Sequence, residues 1–158
     1  MQLAKENKKF FFGQIKKGAR MKDFEVAIEW LLDCGLIKKV NKVNKPAMPL
    51  KAYIDFSSFK RFLLDVGLLG ALSELKAGSI LEGNEIFVEF KGALTEQYVL
   101  QELISDTNYT PYYFGTDSQH FEMDFMVQKG GDAVRISMLD YIEQDYLTNI
   151  PLYAICNM

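Results

Sequence analysis

Residues 121–138, FEMDFMVQKGGDAVRISM, constrain this chain more than any other stretch. Phe121, Met123, Phe125 and Val127 alternate with Glu122 and Asp124, the period-two pattern of a strand with one buried face. Gly130-Gly131 then interrupts the run, and a second apolar segment follows. A Gly-Gly pair between two such runs is a two-residue hairpin signal, so Val134 to Met138 is predicted to pair antiparallel with the E-x-D strand. The alternation also puts Glu122 and Asp124 on one face. Paired acids at a strand end are what a nuclease uses to hold a divalent metal. Such a site ordinarily takes a further strand bearing another acid and a lysine, and Val134 to Met138 carries neither.

Composition narrows the class. The chain has 158 residues, 49% hydrophobic and 25% charged, which is the range of a globular protein with one sizeable core or two small ones. Its longest apolar run, FLLDVGLLGAL (62–72), is too short and too interrupted to span a bilayer. MQLAKENKKF lacks the apolar stretch of a secretory signal, and Cys34 and Cys156 have no metal-site or disulfide-framework spacing. A reduced cytoplasmic setting is expected.

The net charge of −3 conceals a division. Residues 1–61 hold 14 of the 18 Lys and Arg but six of the 21 acids, a surplus of eight positive charges. The remainder has a surplus of eleven negative charges. Such asymmetry suggests two units with different partners, the basic one meeting phosphate or an acidic protein surface. The alternative is that the halves attract each other.

In the basic part, Asp23 can cap a helix whose stripe is Phe24, Ala27, Ile28, Leu31 and Leu32, with Gly35 as its C-terminal stop. A further helix is plausible over residues 14–20. LIKKVNKV (36–43) and LKAYID (50–55) read as strands around NKPAMP. Helix, helix and lysine hairpin is the order of a winged helix over residues 1–55. Lys38, Lys39, Lys42, Lys45 and Lys51 would decorate its wing, either as nucleic-acid contacts or as ordinary solvated lysines.

In the acidic part, Ser57 or Ser58 is predicted to cap a helix carrying Phe59, Phe62, Leu63 and Val66, and residues 76–92 form a loop. The next helix places Glu96 in line with Val99, Leu100 and Leu103, on the apolar face. A carboxylate there needs a cation, backbone donors, water or a metal, unless it lies in an exposed first turn. TPYYFG (110–115) and FEMDFMVQ form a hairpin around TDSQH, with His120 a loop residue. AVRISM and PLYAIC supply two more strands, separated by the acidic linker LDYIEQDYLTN; Pro151 can begin its strand or occupy an edge. The fold class is α+β with a small mixed sheet, in which Glu96 could face Glu122 and Asp124.

The segments LAKENKKFFFGQIKKGAR, WLLDCGLIKKV, PLKAYIDFSSFKRFLLDVGLL, KGALTEQYVLQEL, FEMDFMVQ and NIPLYAI resemble, in order, the C-terminal part of prokaryotic AAA-type ATP-binding proteins. That resemblance implies a winged-helix-like segment followed by a domain of unknown function similar to PD-(D/E)XK nucleases, here residues 56–158. Two departures qualify it. No G-x-x-x-x-G-K-[ST] loop occurs, so no ATP binding is expected, and Met1 falls where the family's ATPase domain would be ending. The E-V-K strand and helix expected after the E-x-D strand are also missing, which leaves the nuclease-like domain truncated. In the family scheme Glu96, Asp124 and the absent Glu would hold Mg²⁺, and the absent lysine would stabilise the phosphoryl charge.

Three functions follow as expectations. The first is a non-catalytic portion of such an ATPase, binding DNA or a protein partner through its basic half. The second is a metal-dependent nuclease using Glu96, Glu122 and Asp124, with Lys129 recruited in place of the lost lysine. The third is a winged-helix DNA-binding protein with an acidic oligomerisation domain. Uncovered apolar surface from the missing elements would favour a homo-oligomer.

Overall fold

The computed structural model describes residues 22, 24–73, 85–116, 122–137, 140–144 and 147–157. The predicted helix near residues 14–20, the Asp23 cap, the TDSQH turn with His120, and residues 76–84 of the predicted loop lie outside them. Three described α-helices, α1 (Glu25–Asp33), α2 (Val66–Leu72) and α3 (Glu85–Asp106), accompany seven strands. The strands are β1 (Ile37–Val43), β2 (Ile54–Leu63), β3 (Tyr112–Gly115), β4 (Glu122–Lys129), β5 (Asp132–Ser137), β6 (Ile142–Gln144) and β7 (Leu147–Pro151). They form one mixed sheet in the order β2-β1-β3-β4-β5-β7-β6. The α+β class expected from the sequence is the observed one.

Two compact units divide the chain, Met1–Lys39 with Lys60–Tyr98 and Val40–Phe59 with Val99–Met158. They are discontinuous in sequence and do not follow a single cut near residue 55.

In the first unit, Ile37, Leu63 and Leu69 form a small core against which Ile28, Leu32, Leu68 and Leu94 pack. The α1 seam is narrower than the predicted stripe. Only Ile28 and Leu32, one turn apart, reach the core, whereas Ala27 and Leu31 are exposed. Gly35 ends the helix as expected, with φ at 77°, a conformation that favours glycine. Asp65 caps α2, accepting the Leu68 amide at 2.7 Å.

The predicted helix after Ser57 or Ser58 is replaced by strand β2, and α2 begins only at Val66. Residues 58–63 are buried without a break, and a strand covered on both faces shows no alternation. Phe59, Phe62 and Leu63 satisfied a helical spacing by coincidence, and tertiary burial decided the matter. Conversely, residues 85–92 belong to α3 rather than to a loop.

Gln97, only 2% exposed, is tied to the last residue of β2. Its Oε1 accepts the Leu63 amide at 3.0 Å and its Nε2 donates to the Leu63 carbonyl at 2.8 Å. The side-chain amide thus substitutes for a neighbouring strand at an edge of the sheet, satisfying two buried backbone groups at once.

In the second unit, β1 pairs parallel with β3, β3 antiparallel with β4, and β4 antiparallel with β5. The predicted hairpin forms as expected, with Val127 opposite Val134 and Lys129 opposite Asp132. Gly130 has φ at 64°, so the turn uses glycine's left-handed freedom. Val43, Leu50, Tyr112, Met123, Met126 and Leu147 are among the buried residues of its core.

The acidic linker is not a linker. It contributes β6 and the start of β7, which pair antiparallel, while β7 lies parallel to β5. Pro151 ends its strand instead of beginning one, and Leu152–Asn157 is a 3₁₀ helix, not the predicted strand. Proline has no N–H for a ladder, and at the strand's last position that loss costs little.

Replacing Gln97 by Leu removes the partner of two buried backbone groups. The expected loss is about 2 kcal/mol or more, at 1–3 kcal/mol for each orphaned group. Urea denaturation checks it: the midpoint falls while the slope is unchanged.

Candidate functional site

The candidate lysines do not gather on one face. β1 carries Lys38, Lys39 and Lys42, and strand alternation puts Lys38 and Lys42 on one side and Lys39 on the other. Lys38 and Lys42 are half-buried, whereas Lys39, Lys45 and Lys51 are exposed, the last two in the connector to β2. β1 is moreover an interior strand, flanked by β2 and β3.

Lys42 is electrostatically linked to Asp55. The Asp55 carboxylate accepts the Ser57 hydroxyl at 2.6 Å and the Ser57 amide at 2.9 Å. These two hydrogen bonds, with smaller help from Ser58 and the Lys42 charge, hold its pKa below the usual carboxylate value against partial desolvation.

Glu96 finds its compensation in a lysine. Lys60 Nζ lies 3.6 Å from Glu96 Oε2, with side-chain exposures of 5% and 24%. A cation is one of the partners the sequence leaves open for Glu96, and Lys60 supplies it from strand β2. Its neighbour Arg61 is also buried, and desolvation lowers the guanidinium pKa. Sequence reasoning missed Lys60, Arg61 and Gln97 as interior polar residues. The misplaced carboxylate at Glu96 was the signal that could have led to them.

In β4, Glu122 is exposed and Asp124 half-buried, and the register to β3 shifts between Met123 and Met126, so strict alternation does not run through Asp124 and Met123 packs in the same cluster as Met126. Among the described residues, no group of three or more His, Cys, Asp or Glu is placed to hold a metal ion. Glu96 belongs to the first unit and Glu122 and Asp124 to the second.

Lys129 belongs to the turn side of the β4–β5 hairpin, opposite Asp132. With Asp132, Val134, Tyr141, Thr148, Ile150 and Ala154 it lines an open groove of about 480 Å³ in the second unit. Tyr141 donates its hydroxyl to Glu143 at 3.3 Å, and the nearby Glu143 charge raises the phenol pKa. In the same unit, buried Asn149 accepts from Arg135 Nε at 2.8 Å and from the Ser137 hydroxyl at 2.7 Å, and donates to the Asp140 carbonyl at 2.7 Å. That node is structural. No described helix is long and apolar enough to cross a membrane.

Residues 1–79 match the family model described as Domain of unknown function (DUF8612), and residues 91–138 match Domain of unknown function (DUF4143). The first match spans half the chain, which therefore belongs to the DUF8612 family. The second covers Glu96, the E-x-D strand and the Gly-Gly turn. No curated protein and no solved structure matches the chain.

Two outcomes are expected. Glu96→Ala leaves the Lys60 ammonium in a buried site and costs roughly 2–4 kcal/mol, at the lower end of buried-pair disruption because Glu96 is partly solvated. A Lys60→Met/Glu96→Leu double variant loses less than Glu96→Ala alone; thermal or urea unfolding of both ranks them. The second outcome concerns pH. Because the Asp55 pKa is lowered from 3.8, its stabilisation is present above 3.8 and is lost as pH falls through the depressed folded value. Asp55→Asn should flatten the acid limb of a stability–pH profile below 3.8 and lower stability at neutral pH.

Proposed function

We propose that this member of the DUF8612 family is a non-catalytic binding portion of an AAA-type ATP-binding protein. One observation carries the reading: Glu96, the acid on which a nuclease-like site would depend, has its charge directed to buried Lys60. The lysine serves as counter-ion to a carboxylate and is thereby held away from the role of phosphate stabiliser. DUF4143 commonly accompanies AAA-type ATPases, which supports the wider assignment. The sequence has no phosphate loop, so nucleotide hydrolysis would belong to the ATPase domain.

Binding falls to the basic surface. Lys39, Lys45 and Lys51 are exposed on β1 and its connector, and a polyanion such as duplex DNA is the partner whose charge they complement. Contacts of this kind go to phosphates, so affinity depends steeply on salt and little on sequence. The winged-helix-like description of residues 1–55 belongs to this proposal, as does the nuclease-like ancestry of residues 56–158.

The test combines binding and cleavage. Wild-type protein is expected to retard a fluorescent DNA duplex at low salt, and Lys39→Glu/Lys45→Glu to weaken that binding at least about tenfold and flatten its salt slope. With Mg²⁺ or Mn²⁺, neither wild type nor Asp124→Ala should cleave DNA or RNA. Metal-dependent cleavage that disappears in Asp124→Ala would establish the nuclease alternative, and no binding at low salt would transfer the basic surface to a protein partner.

A further inference from the structure

Helix α1 buries little of itself. None of its nine residues is fully buried, and its core seam consists of Ile28 and Leu32. On the remaining surface Val26 and Trp30 stand one turn apart, 61% and 72% exposed, and Leu31 is 40% exposed. Trp30 is the chain's single tryptophan. Around these apolar residues stand Glu25, Glu29 and Asp33, all exposed, and the helix contains no basic residue. An exposed tryptophan with an apolar neighbour at i−4 and a charged rim has the composition of an interface centre.

A complementary surface is present on the same chain. The β1–β2 connector exposes Lys45 and Lys51, and three residues into the following strand direction Phe56 is 79% exposed. Lysines beside an exposed ring are the counterpart of acids beside an exposed tryptophan. Opposite charge sets the register, the two aromatics supply apolar burial, and a lysine over the indole adds a cation–π contact.

We propose that the Trp30 face of α1 docks on the lysine-bearing β1–β2 connector and Phe56 of a second copy of this chain. The contact joins two different patches: made twice about a two-fold axis it gives a closed, isologous dimer, and made once it is head-to-tail and extends. A nine-residue helix is only about 13 Å long, and one face of it covers less than the roughly 800 Å² per partner of a standard interface. The association is accordingly weak and salt-sensitive.

The experiment uses two charge-reversed proteins. One carries Glu25→Lys, Glu29→Lys and Asp33→Lys; the other carries Lys45→Glu and Lys51→Glu. All five positions are exposed, and circular dichroism verifies that both variants fold. Sedimentation velocity at low salt is expected to show concentration-dependent self-association of wild type, with a blue shift of Trp30 emission as the indole leaves water. Each variant alone then presents like-charged patches and stays monomeric. Mixed together they present opposite charges again, and association and the blue shift return. Trp30→Ala in wild type weakens association at least about tenfold, as for an aromatic anchor. Wild type that remains monomeric, association without any change in Trp30 emission, or a mixture that fails to associate while wild type does would each overturn the proposal.

Discussion

The first unit depends on how α3 is fastened to the end of β2. Lys60 to Leu63 is a stretch in which cationic and apolar residues are all buried. Two consecutive residues of α3 make that burial tolerable. Glu96 supplies the counter-charge for Lys60, and Gln97 supplies both hydrogen-bonding partners for Leu63. Without the first, a buried ammonium would lose this counter-charge; without the second, an edge strand would lose the partner of two buried backbone groups. Leu69 and Leu94 can then close on Ile37 and Leu63.

This fastening also bears on what the residues can do. A carboxylate on a helix that meets a strand lysine contains the ingredients of a phosphodiester-cleaving site. Their arrangement as a neutralised, largely buried pair directs them to structure, because each group's charge is already answered by the other. What remains available to partners is charge outside the core. The acids of α1 and the lysines of β1 and its connector occupy separate segments, and each set is accompanied by exposed aromatic or aliphatic surface.

The second unit is fastened differently. Its antiparallel β3-β4-β5 meander is local in sequence and needs only the Gly130 turn to close the β4–β5 hairpin. The farther strands are fixed by side chains, with Asn149 linking Arg135, Ser137 and the Asp140 carbonyl at the point where β7 lies parallel to β5. A buried amide with three partners sets a register that the weakly apolar sequence of β7 would not specify alone.

The sequence by itself determined the elements whose signals are local. Alternation and a Gly-Gly turn specify the β4–β5 hairpin, and Gly35 with the Ile28–Leu32 spacing specifies α1 and its end. It also raised the question of a partner for Glu96, because a carboxylate on an apolar face is costly to bury unless it lies in an exposed first turn. Tertiary structure alone decided which partner. Residues 58–63 satisfy helical and doubly buried strand patterns equally, so the identity of β2, and with it the burial of Lys60, depended on neighbours far along the chain. The same holds for β6 and β7, whose polar sequence resembles a linker until β5 offers a ladder. Periodicity records which faces are covered, and where both faces are covered, or the covering comes from distant segments, only the assembled fold distinguishes one element from another.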